Sequence, residues 1–274
     1  MHRPRLVASD VDGTLLDPTD QLSKRTRAAV HRVVAAGVPF VLVTGRPPRW
    51  IPPIVELLGH AGLAVCANGA VRYNAATDQV SHSVTLDPTQ LRDAAEVVAT
   101  ALPGAKIAVE LPTSSATVNG VDQFLAEPGY THPWPGGDSE TAPRDLLLGR
   151  PAIKMLVRQP DANSDMMAAA VRELLGAESG APLDVTYSTG YGLIELSAPG
   201  ITKGTGLAQL AGELGIAPAD VLAVGDMPND LSMLRWAGHG VAMANAHPAV
   251  LEAADEITAG NSQDGLAVIL ERWF

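Results

Sequence analysis

The sequence predicts an α/β fold, a parallel sheet with helices on both faces, and three observations lead to this prediction. Uninterrupted apolar runs, typical of strands buried on both faces, recur along the chain. Segments of helical periodicity separate these runs, as in successive βαβ units. A polar residue follows each run at its carboxyl end. The runs lie at residues 5–9, 38–43, 63–67, 221–224 and 240–243.

The polar residues that follow the runs are predicted to share one edge of the sheet. In an open parallel sheet, ligands bind in the crevice beyond the carboxyl ends of the strands. Loops are polar in general, so one or two such residues would mean little. Their recurrence after every run predicts a ligand site, formed by loops that carry Asp10, Thr44, Asn68, Asp226 and Asn245.

The helices between the runs have recognisable starts and ends. Residues 23–36 are predicted to form the first helix, because Ser23 can cap its start and Gly37 can end it. Residues 230–237 are predicted to form another helix, directly after the polar loop that follows residues 221–224. These helices supply the crossovers that a parallel sheet requires.

The alternation breaks between about Val84 and Leu196, which predicts an inserted α+β domain. Residues 112–150 are rich in Pro, Gly, Thr and Asp and are predicted to be mainly loop. Around them, residues 91–102 and 165–175 have helical periodicity, whereas residues 106–111, 152–158, 183–188 and 192–197 have the pattern of strands.

Composition and charge exclude several classes of protein. The 274 residues are 46% hydrophobic and 18% charged, which excludes a mainly disordered or fibrous chain. Lys and Arg number 19 against 30 Asp and Glu, and the net charge of −11 argues against nucleic-acid or membrane partners. A single cysteine, Cys66, and no signal-like or membrane-spanning run predict a soluble, cytoplasmic protein. It is expected to be a monomer or a homodimer.

Asp10 and Asp12 are the first candidates for chemistry. They follow the first predicted strand, and Gly13 permits a tight turn there. Two such carboxylates can bind a hard divalent cation and can offer one oxygen as a nucleophile. A bare Asp-x-Asp pair is more often a solvated turn, but the preceding strand and the following Gly-Thr-Leu-Leu favour a functional site.

Asp226 and Asp230 form a second acidic pair, in the segment Gly-Asp-Met-Pro-Asn-Asp at residues 225–230. Both lie near the start of a predicted helix, so helix capping is the simpler explanation for either one alone. On the same sheet edge as Asp10, they would supply further oxygen ligands for Mg²⁺. The sequence therefore predicts a magnesium site.

Thr44, Gly45 and Arg46 follow the second strand and offer a hydroxyl, a backbone N–H and a guanidinium, all suited to phosphoryl oxygens. Lys203 stands at a predicted helix start, an unfavourable place for a cation unless an anion lies near. An ordinary turn and a surface lysine are the alternative explanations. The four residues together predict an anion-binding site.

These segments, in their order along the chain, resemble the four motifs of the haloacid dehalogenase-like phosphatase superfamily. The motifs are at residues 10–14, 44–46, 202–204 and 225–230. Further segments resemble the Cof-type branch of that superfamily: Ala-Asn-Gly-Ala at residues 67–70, residues 242–246, and Asp-Gly at residues 264–265.

The resemblance implies a domain organisation and a role for each site residue. Residues 1–83 and 198–274 would form a Rossmann-like catalytic core, and residues 84–197 a C2-type cap that selects the substrate. Asp10 would be the nucleophile and Asp12 the general acid and base, with Thr44 and Lys203 also catalytic. The metal set would be Asp10, Asp12, Asp226 and Asp230, and the phosphoryl group would contact Thr44, Gly45, Arg46, Lys203 and Asn229.

The function predicted on this basis is a Mg²⁺-dependent phosphatase that hydrolyses a small phosphorylated metabolite through an aspartyl-phosphate. A sugar-phosphate mutase with the same capped core is one alternative. A phosphorylatable signalling receiver is another, although the large insertion and the acid at Asp12 argue against it. A binding protein with a relic site is disfavoured, because every catalytic position is occupied. His132 and Trp134, in the insertion, are candidates for contact with the substrate.

Overall fold

The chain folds into two compact units. The structure is a computed structural model that describes residues 2–118, 123–133, 140–177 and 183–274. Unit 1 comprises Met1–His82, Ser115–Thr117 and Thr202–Phe274, and unit 2 comprises Ser83–Ser114 and Val118–Ile201. The assignment of these parts as catalytic core and cap stays a prediction.

The elements of both units are numbered in chain order. The strands are β1 (Leu6–Ser9), β2 (Phe40–Val43), β3 (Leu63–Cys66), β4 (Val71–Asn74), β5 (Gln79–Ser83), β6 (Lys106–Glu110), β7 (Phe124–Ala126), β8 (Lys154–Arg158), β9 (Asp184–Thr186), β10 (Leu193–Ser197), β11 (Val221–Gly225), β12 (His239–Ala242) and β13 (Glu256–Ile257). The α-helices are α1 (Lys24–Ala35), α2 (Pro52–Leu58), α3 (Pro88–Ala101), α4 (Arg144–Leu148), α5 (Ser164–Ala177), α6 (Lys203–Glu213), α7 (Leu231–Trp236), α8 (Pro248–Ala253) and α9 (Gly265–Leu270).

The sheet of unit 1 has the strand order β13-β12-β11-β1-β2-β3-β4-β5. The six strands from β13 to β3 pair in parallel, and β1 lies between β11 and β2 with Ala8 opposite Ala223 and Val41. Because of this register, the carboxyl ends of β1, β2 and β11 meet at one edge. The prediction of an α/β fold with a parallel sheet is confirmed, with one addition: β4 runs antiparallel to β3 and, with β5, extends the sheet.

Helices cover both faces of the parallel part of this sheet. Leu6, Ala8 and Val41 belong to a buried cluster that also contains Leu207 of α6 and Met233 of α7. Side chains alternate between the faces of a strand, so the equally buried residues between them point to the opposite face. There α1 packs on β2 and on α9. The strands are therefore buried on both sides, as their uninterrupted apolar sequences predict.

Helix α1 is stabilised by an N-terminal cap and by an apolar face. The Ser23 Oγ accepts a hydrogen bond from the Thr26 backbone N at 3.0 Å, which satisfies one of the unpaired N–H groups of the first turn. Ala29, Val30 and Val33, spaced for one helix face, are buried. The predicted start and end of this helix are confirmed to within one residue.

Helix α6 places Lys203 at its first residue. Thr202 caps this helix, since its Oγ1 accepts from the Thr205 N while the Thr205 Oγ1 accepts from the Thr202 N. Gly206 allows a close approach, because a Cβ there would lie 2.7 Å from the Gly69 Cα. The helix therefore packs directly against the backbone that follows β3.

Unit 2 contains an antiparallel sheet with the order β7-β6-β8-β10-β9. Helices α3 and α5 pack against each other, and α5 packs on β10. The prediction of an α+β module is confirmed. A buried ion pair joins Lys154 to Glu195 on neighbouring strands, and each side chain is at most 5% exposed.

The segment 112–150, predicted to be mainly loop, contains β7 and α4, but most of its described residues lie outside these two short elements. One detail of the predicted insertion is wrong. Helix α3 begins at Pro88 rather than Leu91, because Asp87 caps it by accepting from the backbone N of Thr89 and of Gln90. Asp followed by Pro is a recognised helix start, and the apolar spacing alone missed it.

His132, one of the candidates in the insertion, lies in an aromatic cluster of unit 2. Its ring centroid is 4.9 Å from that of Phe124 and 5.1 Å from that of Tyr130. Trp134 lies outside the described residues, and a role in substrate contact stays a prediction for both. In the parts of the chain that the structure describes, no helix has the length and hydropathy that a membrane span requires.

Candidate active site

The candidate site lies in unit 1, where loops leave the carboxyl ends of neighbouring strands. Asp10 follows β1, Thr44 follows β2 and Asp226 follows β11. The Asp10 backbone N donates to the Val224 carbonyl oxygen at 3.0 Å, so the parallel pairing continues to the first residue of the loop. The sheet itself therefore sets the spacing of the three loops.

The turn after Asp10 depends on a glycine. Gly13 has a φ of +79°, and a Cβ on it would lie 2.2 Å from the Asp226 Oδ2. Only glycine tolerates both the left-handed backbone and this approach. The next residue, Thr14, is buried, and its Oγ1 donates to the Asp226 Oδ1 at 3.2 Å. The turn thus packs the two acidic loops against each other.

Asp10, Asp226 and Asp230 form a cluster of three buried carboxylates. One oxygen from each lies within 4.8 Å of the others. Lys203, only 1% exposed, donates from its Nζ to the Asp10 Oδ1 and to the Asp230 Oδ1, both at 2.6 Å. The second oxygen of Asp230 accepts from the backbone N of Asp226 and of Met227 at 2.9 Å. Asp230 is thus the most fully hydrogen-bonded of the three.

The cluster carries excess negative charge. Three carboxylates and one ammonium leave a formal charge of −2 in a buried space. Burial, opposed by Lys203 but reinforced by Asp230 and Asp12, raises the pKa of Asp10 to about 7. Burial together with Asp10 and Asp230 raises the pKa of Asp226 to about 9. Burial by itself would lower the pKa of Lys203, but Asp10 and Asp230 raise it overall, so the lysine stays charged.

The cluster fits a divalent cation. A charge of +2 would balance the formal excess, and carboxylate oxygens are the ligands that Mg²⁺ prefers. Asp226 is the carboxylate least compensated by its surroundings, because among the described residues its side chain accepts a hydrogen bond from Thr14 and contacts no cation directly. Asp10 and Asp226 would therefore hold the cation, with Asp230 fixing Lys203 and the Asp226 backbone beside them.

Asp12 lies apart from the buried cluster and pairs with Arg46. The guanidinium donates from Nη2 to the Asp12 Oδ1 at 2.5 Å and from Nε to the Asp12 Oδ2 at 3.0 Å. The Asp12 side chain is 45% exposed, whereas that of Arg46 is 20% exposed. Such a two-point pair fixes the orientation of both groups. The Asp12 carboxylate is therefore accessible to a ligand while Arg46 holds it in place.

Thr44 and Gly45 complete the loop after β2. Thr44 is fully buried, and its Oγ1 accepts from the Arg46 backbone N at 3.0 Å. Its backbone N donates to the Val65 carbonyl oxygen at 2.9 Å, which ties the loop to β3. The loop is therefore held rigidly beside the acidic cluster.

A family model for haloacid dehalogenase-like hydrolases matches residues 7–270, almost the whole chain. The chain belongs to the haloacid dehalogenase-like hydrolase family. The family match and the α/β fold confirm the predicted resemblance and the predicted enzyme class, a phosphoric monoester hydrolase.

Curated relatives of this haloacid dehalogenase-like protein are similar over nearly their full length. YxeH of Bacillus subtilis, named provisionally as a phosphatase, is 32% identical over 283 residues, which cover 96% of each chain. A phosphoglycolate phosphatase of Methanoculleus marisnigri is 26% identical over 270 residues, which cover 98% of this chain and 97% of the relative.

Solved structures in the same family share the fold. A haloacid dehalogenase-like hydrolase from Bacteroides thetaiotaomicron superimposes with a TM-score of 0.74 at 27% sequence identity. The match covers 98% of this chain and 99% of that structure.

The predicted site residues of this haloacid dehalogenase-like hydrolase fall into two groups. The first is the buried cluster of Asp10, Asp226 and Asp230 with Lys203. The second is the pair of Asp12 and Arg46. Asn229, the remaining phosphoryl-binding candidate, is buried beside Asp230 in the chain. Their catalytic and metal-binding roles stay predictions.

Two contacts of the site involve residues to which the sequence assigned no role. Thr14 contacts Asp226, and Asn68 accepts a hydrogen bond from Asn229. Asn68 was predicted to lie at the sheet edge, because it follows an apolar run, but its contact with Asn229 was not predicted. No local pattern distinguishes Thr14 from an ordinary loop threonine.

Proposed function

We propose that this protein is a Mg²⁺-dependent phosphatase that hydrolyses a small phosphorylated metabolite through an aspartyl-phosphate on Asp10. The observation that carries the proposal is the buried cluster of Asp10, Asp226 and Asp230 around Lys203. A nucleophilic carboxylate repels a phosphate dianion unless cations lie beside both. This cluster has one cation in place and oxygen ligands for another.

Two half-reactions account for the hydrolysis. An oxygen of the Asp10 carboxylate attacks phosphorus, the bond from phosphorus to the leaving oxygen breaks, and Asp12 gives that oxygen its proton. Water then attacks phosphorus, the bond to Asp10 breaks, and Asp12 takes the proton of the water. Catalysis depends mainly on positioning and on charge neutralisation. Asp12 fits its role because it is accessible and is oriented by Arg46.

The other residues hold the phosphoryl group. Thr44, Gly45 and Asn229 would donate hydrogen bonds to its oxygens, and Lys203 would place positive charge next to them. Mg²⁺, when bound by Asp10 and Asp226 with Asp12 contributing its backbone carbonyl, supplies further neutralisation of the phosphoryl oxygens. Asp230 supports this set by holding Lys203 and the Asp226 backbone in place.

We infer that the substrate is a small phosphate ester and that unit 2 acts as a C2-type cap that selects its leaving group. The net charge of −11 disfavours polyanions, but a single phosphate can be neutralised locally by Mg²⁺ and Lys203. The relative that is named as a phosphoglycolate phosphatase supports a substrate of this size.

The proposal is tested by steady-state turnover of p-nitrophenyl phosphate and of a panel of phosphorylated metabolites. We expect hydrolysis with Mg²⁺, loss of activity with EDTA, and recovery when Mg²⁺ is restored. A requirement for a bisphosphate activator, with phosphoryl transfer within one sugar, would indicate a mutase. A phosphoenzyme that persists without turnover would indicate a receiver, and either result overturns the proposal.

Metal binding is expected to stabilise the protein, and more so at pH 8 than at pH 5. The raised pKa values of Asp10 and Asp226 mean that the folded, metal-free protein keeps protons that the unfolded chain releases above about pH 4. Its stability therefore falls as the pH rises from about 4 towards 9. A bound cation removes this loss, and at about 100 times its Kd we expect Mg²⁺ to raise Tm by about 5 to 10 °C at pH 8.

Thermal unfolding at both pH values, with EDTA or with Mg²⁺, measures this effect. Asp226→Asn is the matched variant, because it removes one of the two carboxylates with a raised pKa without a change in size. We expect it to reduce both the pH dependence and the effect of Mg²⁺. An equal rise in Tm at pH 5 and pH 8 would contradict this account of the cluster.

A further inference from the structure

The turn that follows β3 has an uncommon backbone. Three successive residues have positive φ: Ala67 at +49°, Asn68 at +56° and Gly69 at +104°. Asn and Gly tolerate this region, but an alanine there is strained by roughly 1 to 2 kcal/mol. Strain of this kind persists where the surrounding structure fixes the backbone, and it concentrates at functional sites. The strained backbone of this turn therefore indicates a functional role.

The loop after β2 holds one side of this turn. The Ala67 backbone N donates to the Arg46 carbonyl oxygen, and the Asn68 backbone N donates to the Thr44 carbonyl oxygen, both at 3.0 Å. Thr44 is one of the residues proposed to bind the phosphoryl group, and Arg46 orients Asp12. The position of Asn68 is therefore fixed relative to that loop.

The start of α6 holds the other side of the turn. A Cβ on Gly69 would lie 2.0 Å from the Thr202 carbonyl oxygen, so only glycine fits there. Thr202 directly precedes Lys203 in the chain. The turn thus lies between the loop that carries Thr44 and the residue that precedes the buried lysine.

The Asn68 side chain contacts a third segment of the site. It is 3% exposed, and its Oδ1 accepts a hydrogen bond from the Asn229 Nδ2 at 3.0 Å. Among the described residues, the buried Oδ1 of Asn229 has no hydrogen-bond partner. A buried carbonyl oxygen in that state is unfavourable. The amide pair is therefore incompletely satisfied as it stands.

A second orientation of the same two amides would place an N–H donor, which a bound anion can satisfy, where the unsatisfied oxygen now lies. The oxygen and nitrogen of a side-chain amide occupy equivalent positions, so both groups can rotate by half a turn without changing the packing. Asn68 would then donate to the Asn229 Oδ1, and the Asn229 Nδ2 would occupy the place of the unsatisfied oxygen. In that orientation Asn229 offers N–H groups to an anion in place of a carbonyl oxygen.

We propose that Asn68 is a positioning residue for phosphoryl binding, whose amide orients that of Asn229 so that an N–H faces the phosphoryl group. The inference rests on the proposed function, in which Asn229 contacts that group. Asn68 itself acts only through Asn229 and through the turn that places it.

Two variants separate the amide of Asn68 from its backbone. Asn68→Gly removes the side chain and suits the left-handed φ, so the turn is retained. Asn68→Asp keeps the size but can only accept, so it holds the Asn229 N–H groups towards itself and adds negative charge. We expect the Kd for inorganic phosphate in Mg²⁺ to rise about 10-fold in Asn68→Gly and more in Asn68→Asp, because a hydrogen bond to a charged group is of that strength.

The measurement is isothermal titration calorimetry with inorganic phosphate, together with KM and kcat for p-nitrophenyl phosphate. Asp264→Gly is a matched control, since Asp264 also has a positive φ, +58°, and is outside the proposed machinery. We expect it to bind phosphate as wild type does. The same Kd in Asn68→Gly as in wild type would overturn the inference.

A double-mutant cycle with Asn229→Ala tests whether Asn68 acts through Asn229. If it does, adding Asn68→Gly to Asn229→Ala causes little further loss of phosphate affinity, whereas independent effects would multiply. Multiplying effects would overturn the inference and leave the proposed function standing. Wild-type protein that hydrolyses no phosphate ester with Mg²⁺ would instead overturn the proposed function, and the inference with it.

Discussion

Asp10→Asn is expected to abolish the hydrolysis of phosphate esters, with a loss in kcat of at least about 10⁴-fold, comparable to the removal of other enzymatic nucleophiles. An amide oxygen does not attack phosphorus at a useful rate, and the residue is buried beside Lys203, where no other carboxylate can take its place without moving. Initial rates with p-nitrophenyl phosphate and Mg²⁺ measure the loss.

The fold of this variant is expected to remain intact. Asn has nearly the shape of Asp, and Lys203 keeps its contact with Asp230. In metal-free protein, removal of one of three crowded carboxylates relieves repulsion, so Tm should equal or exceed that of wild type. Asp161→Asn, the same change at an exposed position of unit 2, serves as the control for activity. Residual turnover above about 1% of wild type would refute the role of Asp10 as nucleophile.

The parallel strands could be predicted because burial on both faces makes their sequences uninterruptedly apolar. The segments 63–67 and 221–224 match β3 and β11 to within a residue or so at each end. The antiparallel strands β4 and β5 were missed. The residues of β5 alternate between exposed and half-buried, so no apolar run marks them. Their place is set by pairing with the edge of the sheet, which is a long-range property.

The location of the site could be predicted from the same logic, but its contacts could not. Polar residues after parallel strands meet at one edge because of the topology, and this brings Asp10 and Asp226 together. No spacing in the sequence indicates that Lys203 inserts between Asp10 and Asp230, or that Arg46 pairs with Asp12. Those contacts depend on side-chain directions in three dimensions.

Lys203→Met is expected to damage both stability and catalysis. The lysine is fully buried and contacts two carboxylates at 2.6 Å, so its removal leaves buried negative charge without a partner. Breaking such a pair from one side costs about 3 to 5 kcal/mol. We expect the Tm of metal-free protein to fall by about 10 °C, and kcat to fall by about 10³-fold, because a cation beside the phosphoryl oxygens is lost.

A second change separates these two effects. The double variant Lys203→Met/Asp230→Asn also removes the charge of Asp230, one of the two carboxylates that lose their partner. Part of the lost stability should therefore return, whereas activity should not. Lys24→Met, at an exposed position near the start of α1, controls for the general effect of losing a lysine. Thermal unfolding in EDTA and initial rates in Mg²⁺ are measured on all three variants. If Lys203→Met unfolds at the temperature of wild type, the lysine does not neutralise the charge of the acidic cluster. If the double variant recovers activity, the proposed role of Lys203 in catalysis is wrong. Recovery of stability without activity supports the proposal that the positive charge of Lys203 neutralises both the acidic cluster and the phosphoryl oxygens.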